Sequence, residues 1–265
     1  MIDIGANLTD KSFRDDIGDV VGRAVKEGIE YIVVTGTNES ASHLAATIAS
    51  QFPNRLAFTA GVHPHHADDV ADDWLDTIVE LTRRGAVAIG ETGLDYFRNF
   101  STRTNQRSVF QAQLELAATL ELPVFVHDRD SNGEVLDMLQ QYAATDVVVH
   151  CFTGDGDLLD AYLDIGCSIG ITGWICDPRR GMELAKIVNR IPDDRLMLET
   201  DSPYLMPKNI SPKPKTRRNE PMNLAYVRQK VADARNQSES HIDVVTTNNA
   251  KRFFQLEEIT QITNE

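Results

Sequence analysis

The stretch LPVFVHDRDSNGEVLDMLQQYAATDVVVH, residues 122–150, contains two apolar runs with a helical segment between them. Residues 122–126 and 146–149 are short, apolar and rich in β-branched side chains, which is typical of strands buried in a parallel sheet. Residues 133–142 carry apolar side chains at spacings of three and four, which predicts an amphipathic helix. The stretch therefore predicts a βαβ unit in which a histidine directly follows each strand.

The same alternation continues through the rest of the chain. Eight apolar segments predict strands, at residues 2–8, 31–35, 56–62, 86–90, 122–126, 146–149, 167–171 and 195–198. Eight segments predict helices, at residues 12–26, 40–51, 73–84, 104–120, 133–142, 157–164, 182–191 and 220–234. Eight βα units in a chain of this length indicate an α/β fold of the (β/α)8 TIM-barrel class. We expect one domain over residues 1–265, with a polar tail at about residues 257–265.

Charge and composition exclude several classes of protein. The 265 residues include 26 Lys and Arg against 40 Asp and Glu, a formal net charge of −14, which argues against a histone-like or membrane-coating role. The sequence contains no run of 18 apolar residues, so it predicts no membrane span. The three cysteines form no CxxC pair, which is typical of a reducing compartment, so we expect a cytoplasmic protein without disulfides.

Ionisable side chains follow five of the predicted strands: His63, Glu91, His127, His150 and Asp201. A (β/α)8 barrel brings the carboxyl ends of its strands to one face, so these side chains are expected to form a cluster. Imidazoles and carboxylates together provide mixed nitrogen and oxygen ligands for a divalent metal ion. Such an ion polarises a bound water while Asp201 accepts its proton, so the pattern predicts metal-assisted hydrolysis.

Five motifs resemble, in order, those of the TatD family of metal-dependent nucleases. They are GVHPH (61–65), GETGLDY (90–96), VHDRD (126–130), HCFTG (150–154) and ETDSPYL (199–205). Two further stretches, IGITGW (169–174) and RRNEP (217–221), resemble the TatD branch of that family. The resemblance implies a barrel of the metallo-dependent amidohydrolase type. It also implies a deoxyribonuclease with 3′-to-5′ exonuclease action on single-stranded DNA and a role in DNA repair or degradation, and it leaves open whether RNA is a substrate.

The resemblance also implies roles for individual residues. The implied metal ligands are Glu91, His127, His150 and Asp201. Glu91 would bridge two ions where two are bound, and Asp201 would activate the attacking water. By family position, His63 and His65 also belong to the active site, in phosphate contact or proton transfer, with auxiliary metal binding as an alternative for His63.

The first strand departs from the pattern of the wider family. Most members carry an HxH pair there, whereas this chain has Gly5 and Asn7. Gly5 offers no ligand and Asn7 offers only a neutral carbonyl oxygen, so we expect one firmly held ion and leave a second ion open. The two imidazoles favour zinc or manganese, whereas the resemblance favours magnesium. Magnesium or manganese is therefore ranked first, and zinc stays open.

A basic segment supplies candidates for binding DNA on an acidic protein. Residues 208–218 contain five basic residues and no acidic one, directly after the eighth predicted strand. The resemblance singles out four contacts to substrate phosphate: Arg129, Arg217, Arg218 and Asn219. Five aromatic side chains could stack on unpaired bases, namely Tyr96, Phe97, Phe100, Trp174 and Tyr204, with core packing as the expectation for Phe100. The expected partner is single-stranded DNA or a DNA 3′ end, with no obligate protein partner.

Two other functions remain open from the sequence. A barrel with a metal site also suits an amidohydrolase-type enzyme for a small amide, ester or lactone. Gly5 and Asn7 would also suit a non-catalytic, nucleic-acid-binding descendant of the nuclease. Binding to a nucleic-acid backbone weakens steeply with salt, whereas binding of a small neutral substrate does not, which distinguishes a nuclease from a small-molecule hydrolase. Turnover that requires a metal ion distinguishes a nuclease from a non-catalytic descendant.

Overall fold

Eight parallel strands form the centre of the computed structural model, which describes residues 1–143 and 145–256. They are β1 (Ile2–Ala6), β2 (Tyr31–Val34), β3 (Leu56–Phe58), β4 (Ile89–Asp95), β5 (Val124–Arg129), β6 (Val147–Val149), β7 (Ser168–Ile171) and β8 (Leu196–Leu198). The predicted tail at residues 257–265 lies outside the described residues.

The strands close into a barrel. Strands β1 to β3 and β4 to β8 pair in sequence order as two parallel sheets. An isolated bridge between Ala60 and Ile89 joins β3 to β4, and one between Ala6 and Ser202 joins β8 to β1. Each strand therefore has a neighbour on both sides, and the predicted (β/α)8 class is confirmed.

Nine α-helices surround the strands in the described part of the chain. They are α1 (Ile17–Lys26), α2 (Glu39–Gln51), α3 (Trp74–Arg83), α4 (Arg103–Leu120), α5 (Glu134–Tyr142), α6 (Gly156–Asp164), α7 (Met182–Ile187), α8 (Leu224–Arg235) and α9 (Glu239–Phe254). The predicted helices at residues 12–26, 182–191 and 220–234 are longer than α1, α7 and α8 because short 3-10 helices occupy one end of each prediction. Within the described residues, no helix combines the length and the apolar composition that crossing a membrane requires.

The ninth helix closes one end of the barrel and was absent from the predicted elements. Phe253 and Phe254 of α9 belong to the same apolar cluster as Ile4, Phe125 and Val148, which lie on three of the strands. The buried face of α9 also contains threonine and asparagine side chains. Its apolar periodicity is therefore weak, which explains why the sequence pattern did not identify it.

Strand β4 begins later than predicted and carries Glu91 inside it. The apolar run at residues 86–90 predicted a strand that ends before Glu91, but β4 starts at Ile89 and ends at Asp95. Gly93 permits this extension, because its φ is 137° and a Cβ there would collide with the carbonyl oxygen of His127. Glu91 and Asp95 lie four positions apart, an even offset, so both side chains lie on one face of the strand.

Candidate active site and metal centre

The carboxylate of Glu91 is surrounded by three imidazole rings. Its Oε1 atom lies 2.8 Å from His150 Nε2, 3.1 Å from His127 Nδ1 and 3.2 Å from His63 Nε2. Glu91, His63 and His150 are buried, and the side chain of His127 is 20% exposed. The structure therefore brings together four of the side chains that the sequence placed after predicted strands.

A second buried carboxylate, Glu199, contacts the nitrogen of His150 that faces away from Glu91. His150 Nδ1 lies 3.3 Å from Oε2 of Glu199, a side chain with no solvent exposure. The other oxygen of Glu199 accepts the backbone N–H of Cys151 at 2.5 Å. Because an ionised carboxylate only accepts hydrogen bonds, Nδ1 of His150 carries the proton. Although burial lowers it, the charges of Glu91 and Glu199 raise the pKa of His150 well above its ordinary value, so without a metal ion Nε2 also carries a proton, towards Glu91. A metal ion that replaced this proton would bind the lone pair of Nε2.

His127 is oriented in a similar way by Asp95. Its Nε2 atom lies 3.6 Å from Asp95 Oδ2 and makes no hydrogen bond. Asp95 also contacts His65 Nε2 at 2.6 Å and accepts the backbone N–H of Arg98 at 2.7 Å. Burial alone would raise the pKa of Asp95, but the imidazoles and this N–H hold it below its ordinary value. Although burial lowers it, Asp95 and Glu91 raise the pKa of His127 above its ordinary value, so the two carboxylates favour the protonated ring. A metal ion beside Glu91 would bind Nδ1 and leave the remaining proton on Nε2, on the side of Asp95.

His63 presents a proton to Glu91 instead of a lone pair. Its Nδ1 atom accepts the backbone N–H of His65 at 3.0 Å, so the proton of the neutral ring is on Nε2. Burial lowers the pKa of His63 to about 4, which keeps the ring neutral at pH 7. His63 is thus arranged as a hydrogen-bond donor at the site.

The nitrogen and oxygen atoms around Glu91 Oε1 fit a divalent metal ion. One nitrogen each of His127 and His150 faces the same oxygen of Glu91, and the raised pKa of both rings places protons between these atoms when no ion is present. A divalent ion would replace those protons. Atoms that bind one metal ion lie about 3 Å apart, which matches the contacts around Glu91 Oε1. By distance alone, His63, Glu91 and His127 are the group whose ligand atoms all lie within 4.8 Å of one another in the described part of the chain. The tautomers, however, favour His150 over His63 as the second imidazole ligand.

Asp201 lies outside that close group and is held from the first strand. Asn7 Nδ2 donates to Asp201 Oδ1 at 2.8 Å, and the backbone N–H of Asp201 donates to the Gly5 carbonyl at 2.9 Å. Burial, together with the charges of Glu91 and Glu199, raises the pKa of Asp201 to about 7. A carboxylate with this pKa can accept a proton near neutral pH.

Glu199 occupies the space next to the first strand where a side chain at position 5 would lie. A Cβ added to Gly5 would be 2.5 Å from Glu199 Oε2 and 2.9 Å from the ring of Phe125. A larger residue at position 5 would therefore displace the carboxylate that orients His150. The first strand contributes Asn7 as a support for Asp201 in place of a pair of histidine ligands.

Two of the predicted phosphate contacts are accessible. Arg129 is half-buried, its Nη1 donates to Thr153 Oγ1 at 3.2 Å, and its guanidinium carbon lies 5.4 Å from the centre of the Trp174 ring. Arg217 is exposed on the segment after β8.

The other two residues predicted to contact phosphate, Arg218 and Asn219, form hydrogen bonds within the protein. Arg218 donates to both carboxylate oxygens of Asp16 at 2.8 and 2.7 Å, to Glu220 Oε1 at 2.7 Å and to the Ser12 carbonyl at 2.5 Å. Its guanidinium is therefore committed to holding the segment after β8 against the segment before α1.

Asn219 has no exposed surface. Its side chain donates to the Thr200 carbonyl at 3.0 Å and accepts hydrogen bonds from Glu220 N and Asn223 Nδ2. A buried amide with these partners cannot reach a phosphate, so Asn219 has a structural role here.

Several aromatic side chains at the site are open to solvent. Phe97 is 59% exposed, Phe100 66% and Tyr204 55%. The expectation that Phe100 packs in the core is wrong, because its ring is exposed and lies 4.8 Å from the ring of His65. Tyr96 is buried, and its hydroxyl contacts Glu134 at 2.5 Å.

Asp95 and Glu199 are site residues to which the sequence analysis gave no role, and only Asp95 carried a local signal. The signal was its even spacing from Glu91, which places both carboxylates on one face of a strand. The signal was hidden because the strand was predicted to end at Gly90.

Comparison with known proteins agrees with this geometry. The family model described as TatD related DNase matches residues 2–255. A protein of Yersinia pseudotuberculosis serotype O:3 (strain YPIII), named 3′-5′ ssDNA/RNA exonuclease TatD, is 47% identical over 263 residues, which cover 97% of this chain and 100% of the relative.

Solved structures give the same result. A hydrolase TatD family protein from Entamoeba histolytica superimposes with a TM-score of 0.86 at 29% identity, covering 96% of this chain and 97% of that one. YJJV, a TatD homologue from Escherichia coli K12, superimposes with a TM-score of 0.88 at 26% identity, covering 97% and 98%. The chain belongs to the TatD-related DNase family.

Proposed function

We propose that this protein is a metal-dependent deoxyribonuclease that removes nucleotides from the 3′ end of single-stranded DNA and also acts on RNA. The observation that carries the proposal is the convergence of His127 Nδ1 and His150 Nε2 on one oxygen of Glu91. The name of the full-length relative from Yersinia pseudotuberculosis supports the substrate and the polarity. The whole chain is proposed to act as one catalytic domain in the cytoplasm.

Glu91, His127 and His150 would hold one divalent ion, with Asp201 as the fourth protein ligand. Magnesium or manganese is proposed first, and zinc is the alternative because two ligands are imidazoles. When bound, the ion lowers the pKa of a coordinated water and withdraws charge from the phosphate. A second ion would find no ligand at Gly5, so its binding would depend on the substrate.

The chain's own groups would handle the protons and the substrate charge. Asp201, fixed by Asn7, would accept the proton of the attacking water. The neutral His63 would donate a hydrogen bond from Nε2 to a phosphate oxygen or to the leaving oxygen, with His65, paired with Asp95, beside it. Arg129 and Arg217 would contact phosphates of the strand.

The identity of the product and the salt dependence test this proposal against a small-molecule hydrolase. The purified protein is incubated with single-stranded DNA and magnesium or manganese, and the products are separated by chromatography at rising salt. We expect nucleoside monophosphates and a rate that falls steeply with ionic strength. Absence of mononucleotides, together with salt-insensitive hydrolysis of a neutral ester or lactone, would refute it.

A further inference from the structure

A groove of about 700 Å³ lies beside the loops that follow β7 and β8. Its polar and aromatic lining includes Trp174, Arg180, Tyr204, Lys208, Lys213 and Arg217.

The groove begins next to Asp201. Tyr204 lines it, and the backbone N–H of Tyr204 donates to the carbonyl of Asp201 at 2.9 Å. The turn that carries Asp201 is thus continuous with the wall of the groove. A molecule bound there would extend directly from the reacting atoms.

The lining is basic although the protein is acidic. Four cations and one carboxylate, Asp177, line the groove, whereas the whole chain has a net charge of −14. Arg180 pairs with Asp177 at 3.1 Å, and its guanidinium carbon lies 4.4 Å from the centre of the Trp174 ring, which fixes its position. In the part of the chain that the structure describes, Lys208, Lys213 and Arg217 form no ion pair. The local field therefore attracts a chain of negative charges.

The groove also contains surface for bases. Tyr204 is 55% exposed, and the wall near it includes Leu205, Met206 and Ile210. Unpaired bases stack on such rings and pack against apolar surface, whereas the bases of a duplex are covered by their partners. The combination of cations and an exposed ring fits an unpaired strand better than free phosphate.

We infer that this groove binds the single-stranded nucleotides on the 5′ side of the scissile phosphodiester. The inference rests on the proposed function, because an enzyme that removes the 3′ nucleotide leaves the remaining strand on that side. Lys208, Lys213 and Arg217 contact its phosphates, and Tyr204 stacks on a base close to Asp201. Trp174 holds Arg180 in place.

The length dependence of hydrolysis tests the groove. We compare kcat/KM for a thymidine octamer with that for thymidine 5′-(p-nitrophenyl phosphate), a diester too short to occupy the groove. In Lys208→Ala/Lys213→Ala the ratio of the two values falls by at least about fivefold. The slope of log(kcat/KM) for the octamer against log salt becomes flatter by about 1.4, since each lost contact with a single strand removes about 0.7.

Lys26→Ala is the matched control. Lys26 is exposed at the end of α1, just before β2, and so lies at the opposite end of the barrel. In Lys26→Ala, the ratio of the two kcat/KM values and the salt slope for the octamer stay at the wild-type values. A double variant that keeps the wild-type ratio and slope would overturn the inference.

Binding without turnover separates failure of the groove from failure of the proposed function. Anisotropy of a fluorescent thymidine octamer is measured in EDTA, where no divalent ion supports hydrolysis. The double variant and Tyr204→Ala bind more weakly than wild type, and Tyr204→Phe retains binding because its ring still stacks. Equal binding by all four proteins overturns the inference. Weakened binding supports it even if the wild type hydrolyses neither substrate with any ion.

Discussion

Glu199 Oε2 lies 3.3 Å from His150 Nδ1, and this contact directs the other nitrogen of His150 at Glu91. A carboxylate behind a metal-binding histidine fixes both the ring orientation and the tautomer. Glu199 is fully buried, and its Oε2 lies in the space that a side chain at Gly5 would fill. The absence of a side chain at Gly5 on β1 and the orientation of His150, directly after β6, are thus two aspects of one packing arrangement.

Replacing Glu199 is expected to weaken metal binding. Glu199→Gln removes the charge that holds the Nδ1 proton of His150, so the affinity for manganese measured by isothermal titration should fall about 10- to 100-fold. Glu115→Gln, on the exposed face of α4, is the control and should bind as wild type does. An unchanged Kd in Glu199→Gln would limit Glu199 to a packing role.

Asp201→Asn is expected to remove hydrolysis while preserving the fold. The amide keeps the size of the side chain but cannot accept a proton, so kcat on single-stranded DNA should fall by at least about 100-fold. Circular dichroism and Tm report on folding in the same samples. If the folded variant retained wild-type kcat, Asp201 would have no role in moving the proton.

Substitutions of two adjacent arginines should have different effects: that of Arg218 should lower stability, and that of Arg217 should weaken binding of the strand. Arg218→Gln loses the hydrogen bonds to Asp16 and Glu220, so the free energy of unfolding in urea should fall by roughly 1–3 kcal/mol. Arg217→Gln should leave stability unchanged and flatten the salt slope of octamer hydrolysis by about 0.7. The reverse pattern, a flatter slope and full stability in Arg218→Gln, would restore the phosphate contact first expected for Arg218.

Asp3 should make stability depend on pH. Burial raises its pKa from 3.8 to about 8, against the hydrogen bonds from Thr200 and Gly5. Between these values the folded state keeps a proton that the unfolded state has lost, so this contribution to stability is present at low pH and is lost as pH rises towards 8.

The measurement compares the wild type with Asp3→Asn in urea between pH 5 and pH 8. The free energy of unfolding of the wild type should fall relative to the variant, with a slope approaching about 1.4 kcal/mol per pH unit. A difference between the two proteins that does not change with pH would show that Asp3 does not titrate in this range.

The barrel and the centre of the site could be predicted from local patterns. Strand segments repeat with helices between them, and closure of such units requires Glu91, His127 and His150 to meet at one end of the barrel. Their positions after apolar runs were sufficient evidence, even though β4 starts three residues later than predicted.

The roles of Arg218 and Asn219 could not be predicted in the same way. Arg218 ends the basic segment 208–218, and Asn219 follows it. Their partners, Asp16 and Thr200, are distant in sequence. Burial of a polar residue depends on such long-range contacts, which a local pattern does not contain. The same holds for α9, whose packing against the end of the barrel buries threonine and asparagine along with phenylalanine.

Degradation of end-labelled single-stranded DNA tests the central claim most directly. Protein freed of metal is incubated with a 5′-labelled oligonucleotide and magnesium, manganese, zinc or EDTA, alongside Glu91→Ala and the control Glu115→Ala. A ladder that shortens from the 3′ end, requires a divalent ion, and is lost in Glu91→Ala but kept in Glu115→Ala is the expected result. No cleavage by the folded wild-type protein with any ion, or a wild-type ladder from Glu91→Ala, would contradict the account.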